Sequence, residues 1–237
     1  MTLNAEQRKL NRIRLRQHSH DDYKIDIRFS PTFWLFDFEV HKGVFRPEVT
    51  SGIEFARYLA ERPELYQRKK VLDMCCGTGI QGIAMGMKPA GSAREVHFSD
   101  ISEEAMRNTF DNAMRYDMLG KSRFFQGDLF NGIPMDEKYD LIVCNHPFLP
   151  RKPVRGKPVS AAWLNPGHLT HRFMHQAKDF LNNEGMIVMP FSDIAGTTNH
   201  PGILGEKYGY KVWKSGRQEI EYGKGFKSGF GVYHLIR

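Results

Sequence analysis

Short apolar runs alternate with stretches of helical periodicity along most of this chain, the pattern of a parallel sheet covered by helices. Runs at 70–74, 95–99, 123–126, 141–144 and 186–189 predict strands. Segments 80–87, 103–118 and 168–181 predict the helices between them, and a further helix at 52–59 precedes the first strand. Asn165 is the expected cap of the 168–181 helix, with Pro166 in its first turn. After residue 189 the pattern changes: 209–214 and 231–236 predict two more strands, joined by a glycine- and aromatic-rich connection. The expected outline is five parallel strands plus a terminal antiparallel pair, with no internal repeat and no low-complexity segment.

With 237 residues, 41% of them hydrophobic, the chain has enough apolar mass for one substantial core. That predicts an N-terminal arm and lid segment at 1–43 and a single catalytic domain at 44–237. The first twenty residues are polar and basic, which excludes a signal peptide or membrane span there and predicts a cytoplasmic protein. Cys75, Cys76 and Cys144 lack zinc-ligand spacing and read as reduced thiols, with no disulfide framework.

A stretch with more chemical content follows the apolar run Leu141-Ile142-Val143-Cys144: Asn145-His146-Pro147-Phe148. It falls at the carboxyl end of a buried parallel strand, where open α/β sheets bind ligands. There an Asn carboxamide oxygen accepts from a flat amino group while the Phe ring stacks on its plane. Residue type alone would make Asn145 an ordinary turn-former before proline; its place after an apolar strand and a glycine loop raises it above that.

The glycine loop is Asp73-Met74-Cys75-Cys76-Gly77-Thr78-Gly79-Ile80-Gln81-Gly82, a strand end, a turn and a helix start. Glycines at 77 and 79 let backbone approach a ligand closely. Gly77, Gly79 and Gly82 also spell G-x-G-x-x-G, with Asp100 at the spacing of a ribose-binding acid, so an NAD-dependent oxidoreductase is one reading. Three features favour S-adenosylmethionine instead. Asp73 would crowd a pyrophosphate but suits the cationic amino-acid end of a sulfonium cofactor. Asp100 can accept both ribose hydroxyls, and Asp128, after the third strand, can accept from the adenine amino group. Finally, the Asn-His-Pro-Phe turn holds no group for hydride chemistry. Cys75, Thr78, Ile101, Leu129 and Asn145 complete the expected cofactor contacts.

These residues resemble the class I S-adenosylmethionine-dependent methyltransferases, and among them the amino methyltransferases with an Asn-Pro-Pro-Phe/Tyr motif. Those include release-factor glutamine enzymes and adenine-N6 or guanine-N2 enzymes of nucleic acids. The resemblance runs from about Val44 to Met189. It implies a Rossmann-like α/β fold with a seven-stranded, mostly parallel sheet ending in an antiparallel pair. Phe45-Arg46-Pro47-Glu48-Val49-Thr50 is similar to the Arg-Pro-Glu/Asp-Thr segment of the glutamine enzymes, which lids their site. Two departures stand out: Cys75 occupies the place of the loop's first glycine, and His146 replaces the first proline of the turn. The resemblance makes the main-chain carbonyl at 146 the acceptor for the second amino hydrogen.

A delocalised nitrogen attacks a methyl sulfonium poorly unless it is held in line, so proximity and electrostatics are expected to supply the acceleration. The expected catalytic residues are therefore Asn145, His146, Pro147 and Phe148, and the expected substrate contacts Arg46, Glu48, Phe148 and Arg151. The acceptor is expected in RNA or in a protein or peptide glutamine, with a small-molecule metabolite as alternative. The RNA reading rests on the net charge of +7 and two basic clusters, Arg8-Lys9-Arg12-Arg14-Arg16 and Arg151-Lys152-Arg155-Lys157, which also read as solvated surface, and the glutamine reading on Arg46-Pro47-Glu48. A non-catalytic adenosyl-ligand binding protein is a further reading, resting on His146.

Other groups weigh less. His168, His171 and His175 share a helical face, but with no carboxylate or cysteine beside them they read as a polar flank, and no metal is expected. Phe33, Trp34, Phe36 and Phe38 read as core rather than as a lid over the cofactor. Tyr222, Phe226, Phe230 and Tyr233, mixed with Lys224 and Lys227, suit either stacking on unpaired bases or a hairpin on the sheet edge.

Overall fold

The computed structural model describes residues 3–49, 51–89, 91–221 and 227–237. The five parallel strands run where the apolar runs predict them: β3 (Lys70–Met74), β4 (Glu95–Asp100), β5 (Ser122–Gln126), β6 (Tyr139–Cys144) and β7 (Leu181–Ser192), numbered after an N-terminal hairpin of β1 (Tyr23–Ser30) and β2 (Phe33–Val40). With β8 (Lys211–Glu221) and β9 (Lys227–Ile236), five of them make a seven-stranded sheet of order β5-β4-β3-β6-β7-β9-β8. β9 is antiparallel to both its neighbours. From β3 the chain steps outward through β4 to β5, then returns to lay β6 on the other side of β3. The crossovers diverge there, so a cleft opens at the carboxyl ends of β3 and β6.

The helices are α1 (Ala5–Gln17), α2 (Ser51–Ala60), α3 (Ile80–Met87), α4 (Glu103–Arg115), α5 (His168–Phe180) and α6 (Pro201–Lys207). α4 stops three residues short of the expected end, because Asp117 turns left-handed at φ 55°. α5 begins at His168 with Gly167, not Asn165, at its cap position, and the Asn165 side chain instead accepts from the Gly167 N–H at 2.9 Å. β8 extends past the expected residue 214, as does β7 past 189, because both pair with β9 along most of their length.

Residues 3–40 pack onto the domain through α1 and the hairpin. Asn4 and Gln7 form a reciprocal capping box that starts α1. Leu3 and Leu10 of this segment, and Ile27, Phe29, Phe33, Leu35, Phe38 and Val40 of the hairpin, are buried in the same core as the sheet. Trp34 and Phe36 fall on the opposite face of β2, exposed and stacked on each other at 5.6 Å. The expected aromatic core is therefore Phe33 and Phe38 only, since strand alternation turns the other two outward. Phe230 and Tyr233 are buried on β9, where they cannot stack on bases; Tyr222, Lys224 and Phe226 lie outside the described residues. No described helix is long and apolar enough to cross a membrane.

Candidate active site

At the sheet's switch point lies a cavity of about 920 Å³. One half is walled by the glycine loop, by Asp100 to Ala105 and by Gln126; the other by the Asn145–Phe148 turn, Phe45, Leu164 and Arg14 of α1.

The glycine loop leaves β3 through Cys75 at φ 58°, Gly77 at φ 58° and Gly79 at φ 78°. For a cysteine this left-handed conformation costs about 1 kcal/mol, a cost a glycine would not carry. A Cβ at Gly79 would meet the Thr109 side chain at 2.8 Å. The loop's carbonyls are held from behind by α4: the Thr109 hydroxyl donates to Gly77 O at 3.0 Å and the Asn112 amide to Thr78 O at 3.1 Å. Asp100 accepts from Gly77 N at 3.0 Å and from Ser102 N at 3.0 Å. Burial raises its pKa, against the pull of these N–H groups. Its carboxylate is thereby fixed on the cavity wall. Thr78 and the exposed Ile101 line the same half.

Asp73 and Asp128 sit differently. Asp73 is buried beneath the loop, its Oδ2 accepting from Gly82 N at 2.9 Å, and it contributes no cavity wall. Burial pushes its pKa well above the usual carboxylate range. Asp128 pairs with Arg172 at 2.7 Å, and it is Arg172 that reaches the cavity. Leu129 follows in a left-handed turn at φ 55°, buried, its carbonyl accepting from the Ser99 hydroxyl.

In the Asn145–Phe148 turn, the Ser51 hydroxyl at the start of α2 donates to Asn145 Oδ1 at 3.2 Å. That fixes the carboxamide oxygen while leaving it a second lone pair. His146 is buried, and its Nε2 lies 3.1 Å from the Asn199 carbonyl. A carbonyl only accepts, so Nε2 carries the proton and Nδ1 is the unprotonated nitrogen. Burial lowers the His146 pKa to about 4, so the ring is neutral at physiological pH.

Three buried side chains clamp this turn: Asn199 and Thr170, which sequence reasoning missed, and Asn165, expected only as a helix cap. Asn199 donates to Phe148 O at 3.0 Å and to Asn165 O at 2.9 Å. Asn165 donates to Pro147 O at 3.2 Å and to Thr170 Oγ1 at 2.8 Å, and the Thr170 hydroxyl donates on to Asn199 Oδ1. Their only sequence signal is polarity within apolar surroundings. Arg14, fully buried, lies over the Phe148 ring at 5.0 Å and over Phe45 at 5.6 Å.

Arg46 and Glu48 line none of the cavity. They bind each other and Tyr23: Arg46 donates to Glu48 Oε1 at 2.6 Å and to Gln17 O at 2.9 Å, and the Tyr23 hydroxyl donates to the same Glu48 oxygen at 2.6 Å. The segment thus ties α1, the hairpin and α2 together, while its Pro47 and Phe45 face the cavity. Arg151 is exposed on the loop outside it; Pro153 and Pro158 of that loop line the mouth. Of the three helical histidines, His168 lines the cavity, while His171 lies 3.0 Å from the Tyr208 hydroxyl.

The methyltransferase small domain family matches residues 36–200. Among curated proteins, a release factor glutamine methyltransferase of Leptospira interrogans is 30% identical over 185 residues, 76% of this chain and 62% of that protein. Ribosomal RNA large subunit methyltransferase G of Alcanivorax borkumensis is 36% identical over 111 residues, 46% of this chain and 27% of that one. The chain thus spans less than two thirds of the length of these relatives. Among solved structures, a methyltransferase from Pyrococcus furiosus superposes with a TM-score of 0.54 at 17% identity, over 77% of this chain and 81% of that one. A precorrin 8w decarboxylase from Methanobacterium thermoautotrophicum does so at 0.56 and 17%, over 80% and 94%. These two structures share the fold.

Proposed function

The chain belongs to the methyltransferase small domain family, and we propose on that premise that it transfers a methyl group from S-adenosylmethionine to a planar amide or exocyclic amino nitrogen. The reading is carried by one observation: a single cavity joins the Asp100 carboxylate and the glycine loop to the Asn145–Phe148 turn. The residues present fit such a cofactor. Asp100 would hold its ribose, the open backbone at Gly77 would let its amino-acid end approach, and Ile101 would cover its adenine, while Gly79, expected as a cofactor contact, lies off the cavity against Thr109. When bound, it supplies an electrophilic methyl on a sulfonium.

Everything else is done by the chain's own groups. Asn145 Oδ1 and the His146 carbonyl accept the two N–H bonds of the acceptor, and Phe148 stacks on its plane. The nitrogen lone pair is thereby aimed along the line of transfer. No strong base is needed, because the cationic product nitrogen loses its proton readily. The relatives' names support an acceptor in a protein glutamine or in RNA, and the proposed site of action is the cytoplasm. Arg151, Lys152, Arg155 and Lys157, exposed beside the cavity mouth, would suit an anionic acceptor; binding to RNA would then weaken steeply with salt.

The test is calorimetric titration with S-adenosylmethionine, S-adenosylhomocysteine and NADH, repeated on Asp100→Ala. Binding of both adenosyl ligands, weakened about tenfold or more by the substitution, is expected from loss of a charged hydrogen-bond acceptor. Binding of NADH alone would replace the methyl-transfer reading with a redox one.

A further inference from the structure

We propose that Cys75 and Cys144 form an oxidative modification site that controls ligand access to the glycine loop. The consequence for ligand binding rests on the functional reading above, whereas the thiol pair stands on its own geometry.

β3 and β6 run parallel with Met74 beside Cys144, so Cys75 is the next residue past that pair. Adjacent strands and one residue of rise put the two Cα atoms about 6 Å apart, inside the range a disulfide spans. Both thiols are free. Burial, and after it the neighbouring Cys75 thiol, raises the Cys144 pKa. The two differ in exposure: Cys75 lines the cavity, and Cys144 is fully buried behind it. A small oxidant entering the cavity therefore meets Cys75 first. Cys76 also borders the cavity, but it is buried and its thiol is turned to Thr109 and Met106.

The chemistry follows from that order, with a hydroperoxide as oxidant. Cys75, as its thiolate, attacks the terminal peroxide oxygen; the O–O bond breaks, a sulfenic acid forms, and the leaving oxygen departs as water when the peroxide is hydrogen peroxide. The Cys144 sulfur then attacks the sulfenic sulfur, the S–O bond breaks, and that oxygen leaves as a second water with the Cys144 proton. Two thiols are oxidised and one peroxide is reduced. The new bond crosses the switch point and joins the loop to the residue before Asn145. Cys75 already holds a left-handed backbone at φ 58°, and Gly77 two residues on carries the N–H that fixes Asp100. Drawing Cys75 toward β6 shifts that N–H away from Asp100 and weakens the cofactor half of the cavity.

The experiment treats the full chain with stoichiometric hydrogen peroxide, maps non-reduced peptides by mass spectrometry, and titrates S-adenosylhomocysteine before oxidation, after it, and after dithiothreitol. A Cys75–Cys144 cross-link is expected, with a tenfold or greater loss of affinity that the reductant restores. Cys144→Ala is expected to keep its affinity through the same treatment, and S-adenosylhomocysteine bound beforehand to slow the cross-linking. Absence of the cross-link, a cross-link with unchanged affinity, or an equal loss in Cys144→Ala would overturn the proposal. Should the variant not fold, the peptide map and reversible affinity of the natural chain decide it. Reduced protein that binds no adenosyl ligand would instead overturn the functional reading and the control of access with it, and the peptide map would then judge the thiol pair alone.

Discussion

The imidazole of His146 is held by the backbone of Asn199: Nε2 donates to that carbonyl at 3.1 Å, and the ring lies nearly parallel to Phe191, 6.1 Å away. Where the Asn-Pro-Pro-Phe/Tyr motif that this turn resembles has a proline, the imidazole is held by a tertiary hydrogen bond. The Asn199 side chain completes the grip on the carbonyls of Phe148 and Asn165.

Asn199→Ala is therefore expected to leave two buried carbonyls without donors, at a cost of about 2–4 kcal/mol. Chemical denaturation measures that loss. Methyl transfer should fall by about tenfold or more as the turn loosens, while S-adenosylhomocysteine affinity stays within about twofold. A parallel loss of cofactor affinity would count against a role confined to the acceptor half.

Acid should destabilise the protein. Burial lowers the pKa of His146 to about 4 and of His18 to about 3, against 6.5 for a free imidazole. The fold favours the neutral rings, so their contribution is complete above pH 6.5 and is lost as pH falls toward those values. For His146 alone the loss is about 2 kcal/mol by pH 5. Thermal melts from pH 7.5 to 5 should show a falling Tm, and His146→Pro a shallower slope. An unchanged slope in that variant would mean that His146 does not carry the effect.

Gly82 faces the sheet so closely that a Cβ would come within 2.3 Å of the Phe98 ring and 3.0 Å of Val96. Gly82→Ala must push α3 off β4, and a stability loss of about 2–3 kcal/mol is expected. Urea midpoints for the two proteins provide the check, with no acceptor needed.

Arg14 stacks on Phe148 in the acceptor half of the cavity. Arg14→Ala should raise the acceptor KM and leave cofactor affinity unchanged, with about 1–2 kcal/mol lost from the stacked pair. Arg14→Lys should not restore it, because an ammonium lacks the planar face. Equal effects on both ligands would show that α1 supports the whole cavity rather than its acceptor side.

Local order explains how far the sequence could be read. β3 and α3 match their expected bounds to the residue, because an apolar run ending in glycines specifies both strand and helix start. The N-terminal hairpin escaped notice, although Ile25, Ile27 and Phe29 alternate with Lys24, Asp26 and Arg28, because the dense aromatics at 33–38 obscured the period of two. Asn145 to Phe148 were visible through their strand. The groups that hold them, Asn165, Thr170 and Asn199, are linked to them across as many as 53 residues of sequence and become neighbours only through the fold. Arg46 and Glu48 show the reverse: their motif is conspicuous, yet their charges satisfy each other rather than the cavity.

The insertion of β9 between β7 and β8 has a consequence for biosynthesis. β8 emerges from the ribosome before β9 but cannot take its place in the sheet first, since nothing of β7 is adjacent to it. Until β9 arrives, β7 presents a bare row of backbone donors and acceptors, the template on which one nascent chain captures another. Refolding yield should accordingly fall as protein concentration rises, and a chaperone that shields this border should rescue it.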